Sequence, residues 1–297
     1  MSAQRYSTNP DTTTLEGSSF ADAAQLADFI ARHPRLFVLT GAGCSTGSGI
    51  PDYRDMDGGW KRRPPVTLQA FVGDAKTRSR YWARSLVGWR RFGRAQPNGT
   101  HAALAALERE GRVEVLLTQN VDGLHQSAGS RNVIDLHGRL DTVRCLACEA
   151  RTPREAMQRA LEALNPDWLA LDALDAPDGD ADLEGLDFAS FRVPACATCG
   201  GMLKPDVVFF GENVPRDRVE RAGTHLANAD AMLVVGSSLM VFSGYRFARE
   251  AARLGKPVAA VNLGRTRADD LLTLKIESEC ATALADALDS LAGNAIA

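Results

Sequence analysis

The feature that most constrains the fold is an apolar run that leads directly into a glycine-rich loop. LFVLT (Leu36–Thr40) is continuously apolar, and GAGCSTGSGIPDYR follows it from Gly41 to Arg54. Apolar residues with helical spacing precede this run between Phe20 and Arg35. A helix, a buried strand and a glycine loop in this order are typical of a dinucleotide-binding unit. A plain tight turn is the alternative, because the glycines follow GxGxxxGxG rather than GxGxxG.

Short apolar runs and amphipathic stretches alternate along the rest of the chain. Further buried strands are predicted at Val113–Thr118, Asn132–Leu136, Ala231–Ser237 and Pro257–Leu263. Helices are predicted around His101–Glu110, Arg216–Ala227, Tyr245–Leu254 and Ala281–Leu291. This alternation predicts an α/β fold with a Rossmann-like parallel sheet that is covered by helices on both faces.

Two segments break the alternation and predict a smaller second domain. Residues 52–98 are rich in arginine and aromatic residues, and residues 139–204 carry four cysteines and an acidic stretch. We assign these two segments to a small helical and zinc-binding domain, and residues 19–51, 99–138 and 205–297 to the Rossmann-like domain. The basic and aromatic stretch 76–94 is interpreted as a helix of the small domain. The polar residues 1–18 are predicted to form a disordered tail.

Polar residues follow two of the predicted strands at the edge where ligands bind in open α/β sheets. Gln119, Asn120 and Asp122 come after the strand that ends at Thr118, and His137 comes after the next strand. These residues form local turns in the alternative interpretation, and a single histidine is more often structural. Because two strand-end motifs converge on one edge, we favour a ligand site with His137 as a proton-transfer group.

The six cysteines include two CxxC pairs, Cys145/Cys148 and Cys196/Cys199. Four thiolates suit a tetrahedral Zn²⁺ and leave no open coordination position, so the predicted metal site is structural. Residues 149–195 separate the pairs, which is longer than the roughly 15–20 residues of an ordinary zinc ribbon. Free or redox-active thiols are the alternative. The acidic insert between the pairs, Leu171–Asp187, lacks the spacing of an EF-hand and is predicted to be a solvated loop.

Charge and hydropathy exclude several classes of protein. The net charge of −3 gives no overall positive field for nucleic acid, and we expect no direct nucleic-acid partner. No apolar run approaches the length that spans a bilayer, so we expect no membrane partner. The polar N-terminus lacks the apolar core of a signal peptide, and a cytoplasmic location is expected.

These motifs together resemble the sirtuin family. The ordered set comprises GAGCSTGSGIPDYR, TQNVDGLHQSAG, DLHG, the paired CxxC motifs, KPDVVFFGE, VVGSSL and VNLG, and the resemblance covers about Ala21–Leu284. LNPDW, APDGD and GYRFA make the chain most similar to the class II branch. The resemblance implies an NAD⁺-dependent protein-lysine deacylase that acts on acyl-lysine proteins or peptides and releases nicotinamide and O-acyl-ADP-ribose. It also implies one structural Zn²⁺.

The resemblance also implies a role for particular residues. His137 is expected to be the general base on the ribose hydroxyls, with Asn120 and Asp122 in the nicotinamide pocket. The implied NAD⁺-binding residues are Gly41, Ala42, Gly43, Ser45, Ile50, Asp52, Tyr53, Arg54, Gln119, Asn120, Asp122, His137, Gly236, Ser237, Ser238, Asn262, Leu263, Gly264 and Cys280. Val208, Phe209 and Gly211 resemble the strand that pairs with the substrate peptide.

The acyl preference depends on GGWKRRPP, the segment Gly58–Pro65. Trp60 stands where desuccinylating sirtuins carry a tyrosine. Lys61, Arg62 and Arg63 either meet an acidic or branched acyl group or are simply solvated. Two other functions stay open on this scaffold: mono-ADP-ribosyl transfer to protein, and non-catalytic binding of NAD⁺ or ADP-ribose.

Overall fold

A six-stranded parallel sheet forms the larger part of the molecule. The computed structural model describes residues 12–61, 65–171, 179, 181, 183 and 186–294. The sheet strands are β1 (Leu36–Thr40), β2 (Val113–Thr118), β3 (Val133–Asp135), β7 (Ala231–Val235), β8 (Val258–Val261) and β9 (Leu274–Ile276). Their spatial order is β3-β2-β1-β7-β8-β9, and every pairing is parallel. This order defines a Rossmann-like sheet with a topological switch point between β1 and β7.

Helices cover both faces of the sheet, because successive strand residues point to opposite sides. Leu36 and Val38 pack in one core with α1 (Thr12–Arg32), α4 (Gly99–Arg109) and α9 (Cys280–Asn294). Phe37 and Leu39 pack in a second core with α7 (Arg216–Asn228) and α8 (Phe242–Arg253). All five residues of β1 are buried, as expected for a central parallel strand. The predicted α/β fold class is therefore confirmed.

The inserted segments build a third core around a small antiparallel sheet. Its strands are β4 (Gly138–Cys145), β5 (Arg151–Pro153) and β6 (Leu203–Val207), in the order β5-β4-β6. Its helices are α2 (Leu68–Gly73), α3 (Ala75–Phe92) and α6 (Arg154–Leu164). The core joins Phe71, Trp82 and Leu86 to Val143 and Leu161. The exact boundaries of the two domains stay a prediction.

Several elements differ from the prediction in position. α1 begins at Thr12, within the predicted disordered tail, and α8 begins at Phe242 rather than Tyr245. The short strand β9 was not predicted, and neither was the antiparallel sheet. The helix in the basic and aromatic stretch is confirmed as α3. Most of the acidic insert lies outside the described residues, as do residues 1–11. Among the described residues, no helix combines the length and apolar character needed to cross a membrane.

Candidate active site and metal centre

Two glycine loops meet at the switch point of the sheet. The Gly43 N–H donates to the Gly236 carbonyl oxygen at 2.8 Å. A Cβ added at Gly43 would lie 2.9 Å from that oxygen, and one added at Gly41 would lie 2.7 Å from the Ser237 Cβ. These glycines are therefore required by the contact between the two loops, in addition to any approach of a phosphate. The contact fixes the floor of the cleft between β1 and β7.

Ser45, Asn120 and Asp122 form one hydrogen-bonded cluster in this cleft. The Ser45 Oγ donates to the Asp122 Oδ2 at 2.7 Å and accepts from the Asn120 Nδ2 at 3.1 Å. The Asn120 Nδ2 also donates to the Gly41 carbonyl oxygen at 3.0 Å. The Asp122 Oδ1 accepts from the Leu124 N–H at 2.9 Å. The amide and the carboxylate are thus held in fixed orientations before any ligand binds.

The His137 ring is held through both of its nitrogens. The Nδ1 lies 2.9 Å from the Gln119 carbonyl oxygen, which can only accept, so the Nδ1 carries the proton. The Nε2 is then an acceptor, and it lies 2.8 Å from the Ser243 Oγ, which donates. Burial lowers the pKa of His137 to about 4. The ring is therefore neutral at pH 7, and Nε2 is its unprotonated nitrogen.

The antiparallel pairing of β4 with β6 fixes the backbone next to His137. The His137 carbonyl oxygen accepts from the Val208 N–H at 2.7 Å. Gly138 has φ 81°, and a Cβ added there would lie 2.1 Å from the Asp206 carbonyl oxygen. Only glycine fits at position 138, because both its positive φ and the close approach of the β6 backbone exclude a side chain. The glycine of DLHG therefore sets the position of the histidine before it.

The segment from Asp52 to Lys61 borders the cleft, and several of its charged side chains bind to one another or to nearby groups of the same segment. The Arg54 Nη1 donates to the Gly58 carbonyl oxygen at 2.7 Å, and its guanidinium lies 4.0 Å above the Trp60 ring. The Trp60 ring packs edge-on against Phe210 at 5.6 Å. Lys61 pairs with Asp52 at 2.5 Å. Arg62 and Arg63 lie outside the described residues.

A cavity of about 410 Å³ connects these groups. Its lining includes most of the residues expected from the sequence: Gly41, Ala42, Gly43, Ser45, Ile50, Asp52, Tyr53, Arg54, Trp60, Gln119, Asn120, Asp122, His137, Val208, Phe209, Gly211, Gly236, Ser237, Ser238, Asn262 and Leu263. Gly264 and Cys280 do not line it. A Cβ at Gly264 would meet the Met56 carbonyl oxygen at 2.5 Å, and Cys280 is buried at the start of α9.

Some lining residues were not expected from the sequence. Val241 directly precedes α8, and Phe242, Ser243 and Arg246 lie in the first turns of this helix. Placing that helix too late in the chain hid them, although they directly follow the strand-end motif VVGSSL. Tyr81 and Phe92 come from α3 of the small domain. Val208–Gly211 lies beyond the end of β6, so the expected substrate-pairing strand is a segment outside the regular strand, with one bridge from Phe210 to Thr67.

The four paired cysteines converge at the far end of the small sheet. Their sulfur atoms all lie within 4.8 Å of one another, with 3.5 Å from Cys145 to Cys199 and 3.8 Å from Cys148 to Cys196. A tetrahedron with Zn–S bonds of about 2.3 Å has edges of about 3.8 Å. Backbone N–H groups of each CxxC turn lower the pKa of Cys145, and lower that of Cys196 to about 6. The donor set fits zinc, as predicted.

This fold and this site define a class of protein. A sheet with a switch point between two glycine loops, a neutral histidine beside an amide–carboxylate cluster, and a Cys₄ centre describe a dinucleotide-binding α/β protein with a structural zinc module.

Comparison with known proteins identifies the family. A model of the Sir2 family matches residues 41–243. An NAD-dependent protein deacetylase of Xanthomonas axonopodis pv. citri is 70% identical over 264 residues, covering 89% of this chain and 90% of that protein. NAD-dependent protein deacetylase 2 of Bradyrhizobium diazoefficiens is also 70% identical, over 88% of this chain and 95% of its own. The chain belongs to the Sir2 family.

Solved structures agree with this assignment. A complex described as Sir2, p53 peptide and NAD⁺ aligns with a TM-score of 0.72 at 30% identity, over 92% of this chain and 98% of that one. Sir2Tm bound to a propionylated peptide aligns with a TM-score of 0.69 at 31% identity, over 92% and 98%. The class II branch stays a prediction, because the match concerns the family as a whole.

Proposed function

We propose that the chain is an NAD⁺-dependent protein-lysine deacylase, with His137 as its general base. The observation that carries the residue assignment is the fixed, neutral imidazole of His137 in the same cavity as the Ser45–Asn120–Asp122 cluster. NAD⁺ is the co-substrate, and the four cysteines hold one structural zinc. Acyl-lysine proteins or peptides are the substrates.

The co-substrate supplies an activated glycosidic bond, at which the acyl oxygen of the substrate replaces nicotinamide. We assign Asn120 and Asp122 to the nicotinamide end, because their fixed amide and carboxylate can orient a carboxamide by hydrogen bonds. Gln119 lies between β2 and the second glycine loop, and its side chain accepts from the Ser237 Oγ at 2.6 Å. This hydrogen bond supports our assignment of Gln119 to the ribose of the co-substrate.

His137 acts on the proton of a ribose hydroxyl. Its Nδ1–H is held by the Gln119 carbonyl oxygen, so the Nε2 lone pair is directed towards Ser243 and the cavity. A base that is neutral at pH 7 can accept a proton without first losing one. Its low pKa makes His137 a weak base before a ligand binds. A ligand that excludes water and carries charge would change this pKa.

The glycine loops are assigned to the diphosphate and adenosine. The loop at Gly41–Ser45 lies at the end of β1, where phosphates bind in such folds, and its glycines leave room for the close approach of a diphosphate. Gly236, Ser237 and Ser238 lie across the switch point, and Asn262 lies at the end of β8. Gly264 and Cys280 are assigned to support this region from outside the cavity wall, since Gly264 packs on Met56.

The substrate side of the cavity is largely apolar where the small domain and the segment after β6 border it. Val66, Tyr81, Phe92, Leu140 and Phe209 line this side. Such a wall suits the hydrocarbon part of an acyl-lysine. Trp60 is engaged with Arg54, so we propose it as an aromatic wall rather than a carboxylate partner. A direct nucleic-acid partner is not expected, and a cytoplasmic location stays a prediction.

The test uses His137→Ala with NAD⁺ and an acetyl-lysine peptide. We expect the variant to lose about 10²- to 10⁴-fold in kcat, the usual contribution of a general base. Mass spectrometry of the wild-type reaction should show loss of the acyl group and formation of O-acyl-ADP-ribose. His33→Ala, at the end of α1, is the matched control and should retain activity. Undiminished turnover by His137→Ala, or ADP-ribose gained by the peptide, would contradict the assignment.

A further inference from the structure

Three arginines surround an exposed aromatic ring at the rim of the active-site cavity. Phe242 is 44% exposed at the start of α8. The guanidinium carbons of Arg246, Arg249 and Arg267 lie 5.2, 5.4 and 5.9 Å from the centre of its ring. We call these four residues the rim arginine cluster. Arg267 also lies 4.4 Å from the Tyr245 ring, so the aromatic rings hold the cations together.

These arginines have no carboxylate partner in the part of the chain that the structure describes. No ion pair joins Arg246, Arg249 or Arg267 to an acidic residue among those residues. Two acidic residues close to them in sequence are engaged with other groups: Glu250 pairs with Arg253, and Asp269 bonds Thr266 and Lys275. The Arg246 Nε is buried and has no hydrogen-bond partner. A buried donor without a partner is costly, which indicates that a ligand group completes it.

The rim arginine cluster belongs to the entrance of the reaction site. Phe242, Ser243 and Arg246 line the same cavity as His137, and the Ser243 Oγ donates to the His137 Nε2. Ser243 and Arg246 are three residues apart in α8, so their side chains lie on the same side of the helix. A polypeptide that brings a lysine to His137 therefore passes close to Phe242 and its arginines.

We propose that the rim arginine cluster binds acidic side chains of the substrate, so that the protein prefers acyl-lysines with aspartate or glutamate nearby in the sequence. This inference rests on the proposed deacylase function. Guanidinium groups bind carboxylates in a bidentate manner, and three of them give the rim a positive charge in a chain whose net charge is −3. The aromatic ring contributes apolar contact with the methylene groups of the bound side chain.

The first experiment compares acetyl-lysine peptides that differ only in the residues flanking the lysine. One peptide carries glutamate at the three positions on either side, the second glutamine, and the third lysine. Partly exposed ion pairs contribute about 0.2–1 kcal/mol each, so we expect kcat/KM to be roughly 5- to 10-fold higher for the glutamate peptide than for the glutamine peptide. The lysine peptide should be the poorest substrate, and added salt should reduce the differences.

Variants then locate the preference. Arg249→Glu combined with Arg267→Glu should abolish or reverse the preference for the glutamate peptide, while the glutamine peptide keeps its kcat/KM within about twofold. Arg253→Glu, compared with Arg249→Glu alone, is the matched control, because both make the same charge change on α8, and Arg253 pairs with Glu250 whereas Arg249 lies at the Phe242 ring. Equal kcat/KM for the three peptides in the wild type, or an unchanged preference in the double variant, would overturn the inference. Failure of every peptide to react would instead count against the proposed function.

Discussion

At the scale of single residues, the sequence predicted which side chains meet but not how they are held. Gln119, Asn120, Asp122 and His137 were expected at one sheet edge because parallel strands end there, and all four line the cavity. Their mutual orientation depends on Ser45 and on backbone carbonyl groups, whose positions follow from the three-dimensional fold. Spacing along the chain carries no such information, so the hydrogen bonds could not be predicted.

Ser243 provides a test at this scale. Its hydroxyl donates to the His137 Nε2 at 2.8 Å. Together with the Gln119 carbonyl oxygen on the other ring nitrogen, it fixes the orientation of the ring. Ser243→Ala removes one hydrogen bond worth about 1 kcal/mol, so we expect kcat to fall roughly three- to tenfold with little change in the KM for NAD⁺. Ser243→Thr keeps the hydroxyl and should restore most of kcat. Steady-state kinetics with an acetyl-lysine peptide measures both, and an unchanged kcat in Ser243→Ala would show that His137 needs no such support.

At the scale of elements, hydrophobic runs predicted the buried parallel strands well. β1 and β2 lie where they were expected, because central parallel strands are apolar on both faces. The antiparallel β4 mixes buried and exposed positions, and β9 has three residues, so neither gave a strong signal. β6 also contains two buried residues that hide its nature, Lys204 and Pro205. A buried lysine is understandable only from its partner.

Lys204 ties β6 to the loop that borders the cavity. It is 1% exposed, pairs with the Glu212 Oε2 at 3.0 Å, contacts the Val207 carbonyl oxygen and lies 4.5 Å from the Phe209 ring. Burial lowers its pKa, yet the carboxylate of Glu212 favours its charged form. Lys204→Met leaves the Glu212 carboxylate without its opposite charge and should lower the free energy of unfolding by about 3–5 kcal/mol.

Urea denaturation of Lys204→Met, Glu212→Gln and the double variant measures this coupling. The double variant should be less destabilised than the sum of the single changes, since no unpaired charge remains in it. Additive losses would show that the two side chains stabilise the loop independently. Val72→Ala, at an exposed position of α2, is the control and should change the free energy of unfolding little.

At the scale of the whole molecule, stability should depend on pH through buried histidines. Burial lowers the pKa of His125 to about 3 and that of His137 to about 4. Both are neutral in the folded protein, whereas unfolded histidine binds a proton below about pH 6.5. The unfolded state therefore binds more protons between pH 6.5 and 4, and stability falls as the pH is lowered through this range.

Each such histidine should cost about 2 kcal/mol between pH 7.5 and pH 5. His125→Gln removes one of them, so the loss of stability between these two pH values should be smaller by about that amount than in the wild type. Urea denaturation at both pH values measures the difference. An equal loss in both proteins would mean that His125 is protonated in the folded state or that its pKa is not lowered.

The strand β4 has a consequence for how the two centres depend on each other. It begins at Gly138, directly after the proposed base, and ends at Cys145, a zinc ligand, so that about 26 Å of a single strand separates the two. A chelator or an oxidant that removes the metal from the cysteine site would make the Cys145 end of this strand more mobile. The His137 ring would then no longer be held in its orientation. The zinc takes no part in the reaction itself, yet its removal should abolish catalysis, because β4 connects the two sites.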